Sequence, residues 1–225
     1  MRRWSGALAP ALLLLPLLYG PAAVAAQTEP KPLVAHFEFG PSFGLFWPMG
    51  GWTENFGPDE VKRRNIAAGM IGGRLTYWRG PRLGLEAAVG FTPSQVAERQ
   101  PNGGTEDITG SVVLSSVKVL ARLASLADGD PRDPTQWNFY AGLGGGFMAR
   151  RGSAWTNRVG TAHPAIVLNL ETRTLLGRAI MGRAGLEDYV SWQTFDKGLP
   201  SETRARVQHD IVFTLSALFR LGAAR

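Results

Sequence analysis

The chain has 225 residues, of which 24 are Lys or Arg, 18 are Asp or Glu and none is Cys, for a formal net charge of +6. The lack of Cys excludes disulfide bonds, thiolate metal ligands and a Cys nucleophile. The positive charge is spread along the chain rather than gathered in runs, so it does not indicate a nucleic-acid-binding protein.

The first 26 residues have the order of a secretory signal peptide. Arg2 and Arg3 precede an apolar stretch over residues 7–18, and small residues follow from Ala22 to Ala26. A positive region, a short apolar core and small residues before the cleavage point are typical of such a peptide. The core is shorter than the about 20 residues of a membrane-spanning helix. We expect residues 1–26 to be this peptide, rather than an uncleaved anchor, and residues 27–225 to be one exported domain.

Apolar residues recur at every second position in the rest of the chain, which predicts β-strands. In the last such segment the alternation runs from Val207 to Leu221, whereas strands of globular domains have about 5–6 residues. Eight segments share this pattern: 34–47, 66–78, 82–92, 109–123, 136–149, 163–176, 178–193 and 205–221.

The connections between these segments alternate in length. Gly80-Pro81 and Gly177 mark tight turns, and turn residues fill 128–134, whereas residues 48–65, 93–108, 150–162 and 194–204 are longer polar stretches. Short turns at one end and long loops at the other are typical of membrane barrels, in which a tilted strand needs about 9–11 residues. We therefore predict an all-β fold, an eight-stranded antiparallel up-and-down transmembrane β-barrel with both termini at the periplasmic end.

The faces opposite the apolar ones carry ten charges, five acidic and five basic, on seven of the eight segments. Inside a narrow barrel an unpaired charge is costly, so we expect these groups to pair and to fill the lumen. The alternative is a narrow polar pathway that opens when pairs exchange partners. The ten predicted lumen charges are Glu38, Arg74, Glu86, Lys118, Arg122, Glu171, Arg173, Arg183, Glu187 and Asp210.

Aromatic residues lie near both ends of the predicted strands, as expected of rings at the two membrane interfaces. Those with the clearest positions are Trp47, Tyr77, Trp137, Trp192 and Phe219.

Together, the leader, the eight alternating strands and the final Phe213-x-Leu215-x-x-x-Phe219 resemble the small outer-membrane β-barrel proteins of the OmpA/OmpX type. The resemblance implies a bacterial outer-membrane protein, inserted by the barrel assembly machinery, in contact with membrane lipid and lipopolysaccharide and monomeric. We also expect no attached peptidoglycan-binding domain, because the chain stops with the eighth predicted strand. In one departure from the family, the last aromatic residue is followed by the segment from Arg220 to Arg225 rather than ending the chain.

Three other functions remain open. A lipid-modifying enzyme such as a lipid A deacylase needs a base on the outer wall; of His36, His163 and His209, only His209 suits that place, and its neighbour Asp210 faces the opposite side. A carrier of small apolar molecules needs an apolar pocket, which a polar lumen does not offer. A soluble lipocalin-like barrel would be apolar inside. We expect a structural or surface-interaction role, with no catalytic residues, cofactor or metal.

Overall fold

The computed structural model describes residues 35–49, 51–56, 59–80, 82–99, 104–126, 137–155, 162–176, 179–195 and 204–221. The predicted signal peptide, residues 1–26, lies outside them and stays a prediction. The described residues form one short 3-10 helix, Ser153–Trp155, and ten strands: β1 (His36–Pro48), β2 (Gly51–Phe56), β3 (Asp59–Ile66), β4 (Ala68–Trp78), β5 (Leu83–Arg99), β6 (Thr105–Ser125), β7 (Trp137–Arg151), β8 (Ala162–Leu175), β9 (Ile180–Phe195) and β10 (Arg204–Leu221).

Eight of these strands close into a ring. The order is β1, β4, β5, β6, β7, β8, β9, β10 and back to β1, and every pairing is antiparallel. The predicted eight-stranded up-and-down β-barrel is therefore confirmed. Following cross-strand partners around the ring from Glu38 leads to Pro48, ten positions further along β1. A closed sheet with such a stagger must have strands tilted to the barrel axis.

The remaining two strands correct the predicted loops. Residues 48–65 were expected to form a loop, but β2 and β3 form a hairpin there, and β3 pairs with the end of β5. The loop predicted over residues 93–108 is shorter in the structure, because β5 extends to Arg99 and β6 begins at Thr105. Both predictions were wrong for the same reason. The hairpin and the ends of β5 and β6 have polar residues at successive positions, so their sequence lacks the period of two that predicts a strand.

The side chains have the reverse arrangement of a soluble barrel. Phe43 and Leu215 on the outer face are 60% and 66% exposed, whereas the inward Glu86 and Asp210 are fully buried. The outer wall is thus apolar and the charged groups lie inside, as the sequence predicted. No helix in the described part of the chain is long and apolar enough to cross a lipid bilayer.

Candidate functional site in the barrel lumen and on its outer wall

Of the ten predicted lumen charges, nine are buried inside the barrel, and eight of these form a connected cluster. Glu86 lies at its centre. One carboxylate oxygen accepts from Arg74 Nη1 at 2.7 Å and lies 3.1 Å from Lys118 Nζ, and the other accepts from Arg173 Nη2 at 2.8 Å. We call this cluster the charged belt; its members are Glu38, Arg74, Glu86, Lys118, Glu171, Arg173, Arg183 and Glu187.

A second carboxylate of the charged belt binds three bases. Glu187 Oε1 lies 3.0 Å from Lys118 Nζ, 3.1 Å from Arg183 Nη2 and 2.5 Å from Arg74 Nη1. Its other oxygen accepts from the Tyr189 hydroxyl at 3.2 Å. Because opposite charges from strands all around the ring meet here, the desolvation of each ion is offset by several partners. The belt thus joins side chains from six of the eight barrel strands across the lumen.

Glycines on β7 make room for these long side chains. Gly144 faces the lumen beside Lys118, and a Cβ at Gly144 would lie 2.0 Å from the Val117 carbonyl oxygen and 2.6 Å from Lys118 Cβ. No side chain larger than hydrogen fits there. Its neighbour Gly145 faces outward, where a Cβ would meet nothing within 4 Å.

Beyond the charged belt the lumen becomes apolar, which corrects the expectation of a lumen polar throughout. We call the end where β1 finishes the distal end, and the end where β1 begins the basal end. Met70 lies four positions distal to Arg74 on β4, and Leu114 four positions distal to Lys118 on β6, and both are buried. This apolar layer consists of Phe46, Met70, Val112, Leu114, Met148, Val167 and Val212. These residues occupy the same alternate positions as the inward charges, so the period of two in the sequence indicates that they face the lumen.

A polar cap covers the apolar layer at the distal end. Arg150 Nη2 donates to Asp210 Oδ2 at 2.5 Å, and Gln208 Nε2 donates to the other oxygen of Asp210 at 3.2 Å. The Trp155 ring lies 5.6 Å from the Arg150 guanidinium and is 5% exposed. The turn before it needs glycine, because Gly152 has a φ of +101°. Sequence reasoning missed Arg150 by assigning it to a loop, although it continues the inward register of β7.

At the basal end, aromatic residues lie inside the lumen. Trp78 and Tyr140 are buried with ring centroids 5.0 Å apart, and the Arg173 guanidinium lies 4.8 Å from the Trp78 ring. Arg122, the tenth predicted lumen charge, is only half-buried here, beside an irregularity in the pairing of β6 with β7. Arg122 still pairs with the buried Tyr140 in the register of the rest of β6, but it lies four positions basal to Lys118, beyond the charged belt.

The outer wall carries aromatic residues near both ends. Phe37 and Trp47 lie ten positions apart on β1, which is about 23 Å along the axis for a strand rising about 3.3 Å per residue and tilted by about 45°. A membrane barrel has an apolar band about 25 Å tall between two aromatic girdles. The predicted interface residues are all 36–55% exposed on this wall: Trp47, Tyr77, Trp137, Trp192 and Phe219.

One hydrogen-bonded pair of a histidine and an aspartate lies on the outer wall. His209 Nδ1 is 2.8 Å from Asp188 Oδ2, with the side chains 51% and 22% exposed. Because an ionised carboxylate only accepts, Nδ1 carries the proton of this hydrogen bond. Sequence reasoning placed His209 outward but found no carboxylate for it, since Asp188 lies on β9 and the contact depends on the pairing of β9 with β10. The other two histidines, His36 and His163, are buried inside.

Comparisons with known proteins show the fold. No family model matches the sequence, and a search of curated proteins gives no match. The structure is similar to that of the outer membrane protein OprG from Pseudomonas aeruginosa, with 11% identity, a TM-score of 0.58 and coverage of 84% of this chain and 97% of that one. It is also similar to the outer membrane protein AlkL, determined in lipid bilayers, with 12% identity, a TM-score of 0.51 and coverage of 91% and 99%. The predicted resemblance to small outer-membrane barrels is thus confirmed for the fold.

Proposed function

We propose that this chain is an integral protein of the bacterial outer membrane, with its termini toward the periplasm and a lumen closed to solutes. The observation that carries this proposal is the outer wall, which is apolar over about 23 Å between Phe37 and Trp47 and ringed by aromatic residues at both limits. In water such a wall would expose a large contiguous apolar surface, which soluble monomers avoid. Only a closed barrel satisfies the backbone hydrogen bonds of strands in lipid.

The closed lumen supports a structural or surface-interaction role. The charged belt pairs its acids with bases, and the polar cap and Trp155 cover the distal end. Buried charges that already bind one another offer a passing ion no free group to replace its hydration shell. Lipid and lipopolysaccharide are then the partners along the wall, and the barrel assembly machinery is the partner during insertion. The ring of eight strands has no free edge of its own, which favours a monomer.

Two measurements test this proposal. The protein should be found in the outer-membrane fraction and should migrate faster on a gel before boiling than after it, because a membrane barrel stays folded in detergent until heated. In planar bilayers the purified protein should give no steady conductance. Recovery of the protein in the periplasmic extract would refute the membrane assignment, and a stable channel would refute the closed lumen.

A second candidate function is a carrier of small apolar molecules. The apolar layer favours it, since Phe46, Leu114 and Met148 are at most 1% exposed and enclose an apolar region between the charged belt and Trp155. Transport would require Trp155 to leave the distal end. Uptake of an apolar dye by vesicles holding the wild type, and faster uptake with Trp155→Ala, would favour the carrier over the closed barrel.

A further inference from the structure

Arg74 of the charged belt has one hydrogen-bond donor that the belt leaves unused. Its Nη1 lies 2.7 Å from Glu86 Oε1 and 2.5 Å from Glu187 Oε1, and its Nη2 donates to Thr214 Oγ1 at 3.3 Å. Its Nε is buried and has no hydrogen-bond partner within the described residues. An unpaired buried donor on a charged group is costly, so this atom needs a partner, and a bound water is one that proteins commonly use.

A small cavity borders the same arginine, where the charged belt meets the apolar layer. The space open to the centre of a water molecule is about 10 Å³, close to the about 10–15 Å³ that one water needs. The cavity forms where β5 carries small residues. Ala88, the cross-strand partner of Arg74, lines it. At Gly90, the next inward position, a Cβ would lie 2.8 Å from Met70 Sδ.

Polar groups around the cavity supply both a donor and an acceptor. Glu187 and Tyr189 line it together with Arg74. Glu187 Oε2 accepts from the Tyr189 hydroxyl at 3.2 Å and has a second lone pair for another donor. Arg74 Nε can only donate and the carboxylate can only accept. A water molecule does both, since its oxygen accepts from Nε while one of its hydrogens is donated to Glu187.

We propose that the cavity beside Arg74 is a binding site for one internal water molecule, which joins Arg74 Nε to the Glu187 carboxylate. An anion does not suit the site because Glu187 borders it, and a cation does not because Arg74 does. The water holds the guanidinium from its Nε side, so that Nη1 stays directed at both glutamates of the belt. The inference is independent of the proposed membrane location, because the site lies inside the lumen.

The first test is an electron-density map of the crystallised wild-type protein, at a resolution that shows ordered waters. A peak should lie about 2.7–3.2 Å from both Arg74 Nε and a Glu187 oxygen. An empty cavity overturns the site, and so does an Arg74 side chain whose Nε bonds to a protein group instead. An anomalous peak in a crystal soaked in bromide also overturns it, because the site then takes an anion.

Two substitutions of nearly equal shape at Ala88 test the polarity of the cavity in solution. Ala88→Thr and Ala88→Val both displace the water, but only threonine brings a hydroxyl that can accept from Arg74 Nε and donate to Glu187. Any cost of crowding is common to the two variants. The equilibrium constant for urea-induced unfolding in lipid vesicles should therefore be about tenfold smaller for Ala88→Thr than for Ala88→Val.

The matched control is the same pair of substitutions at Ala87, the preceding residue of β5, which is exposed on the outer wall. There the threonine hydroxyl faces outward without Arg74 or Glu187, so Ala87→Val should be at least as stable as Ala87→Thr. Equal stability of the two Ala88 variants, or a more stable Ala88→Val, would overturn the site by showing that the cavity is apolar and dry. The map of the wild type decides the question even if neither Ala88 variant folds.

Discussion

Lys118 of β6 and Glu187 of β9 meet inside the barrel, with Nζ 3.0 Å from Oε1, although their strands are three places apart in the ring. Both side chains are about 1% exposed. The contact is made across the lumen rather than along a sheet ladder, so it ties opposite walls together. Arg74 and Arg183 reach the same carboxylate oxygen, which makes Glu187 a shared partner of three bases.

Glu187→Gln should destabilise the barrel by about 3–5 kcal/mol, because three bases lose the charge that compensates their burial. Urea-induced unfolding in lipid vesicles measures the loss. Asp107→Asn, which changes an exposed carboxylate near the distal end of β6, should change stability by less than about 0.5 kcal/mol. Equal effects of the two substitutions would contradict a tightly paired belt.

Gly144→Ala should cost about 1–3 kcal/mol, because its methyl group would overlap the Val117 carbonyl and Lys118. The adjacent Gly145→Ala is the control, since it adds a methyl group to open space on the outer wall. It should be neutral or slightly stabilising. The same unfolding measurement serves both, and a larger loss at Gly145 would mean that β7 has the opposite register.

Leu215→Arg should destabilise the barrel by about 2–4 kcal/mol, because Leu215 is 66% exposed on the outer wall midway between the aromatic rings. Leu221→Arg, at the basal end of the same strand, should cost only about 0–1 kcal/mol. The dependence on depth is the feature to measure in lipid vesicles. Similar losses of stability for the two variants, measured with the protein in buffer without detergent, would indicate a soluble protein.

Trp155→Ala should not produce an ion channel, although it uncovers the distal end of the lumen. The charged belt lies beneath the apolar layer, and under the proposed function its paired charges close the lumen without Trp155. Planar-bilayer recordings of this variant should stay as silent as those of the wild type. A steady current would mean that Trp155, rather than the belt, closes the lumen.

Single cysteines report the orientation in the membrane, and the natural chain contains none. Ser153 is exposed at the distal end, so the variant Ser153→Cys should react with a membrane-impermeant maleimide on intact cells. Leu126 and Leu176 are exposed at the basal end, so the variants Leu126→Cys and Leu176→Cys should react only after the outer membrane is breached. The reverse labelling would show that the barrel is inverted.

The amino-acid sequence by itself determined the wall of this barrel. A period of two fixes which side chains share a face, and the faces read from Phe43, Leu215, Glu86 and Asp210 agree with their exposure in the structure. The number of barrel strands followed from the same pattern. The hairpin of β2 and β3 did not, because beyond the apolar band both faces can be polar and the alternation disappears.

Only the tertiary structure decided which residues meet. Arg150 with Asp210, Asp188 with His209 and Lys118 with Glu187 all join different strands. These pairs depend on how far each strand is shifted against the next, and the shifts add up to ten positions around the ring. Alternation is a property of one strand and is the same for every even shift, so the sequence pattern leaves the stagger open. Closure of the sheet, with the packing of the lumen, selects one value of it.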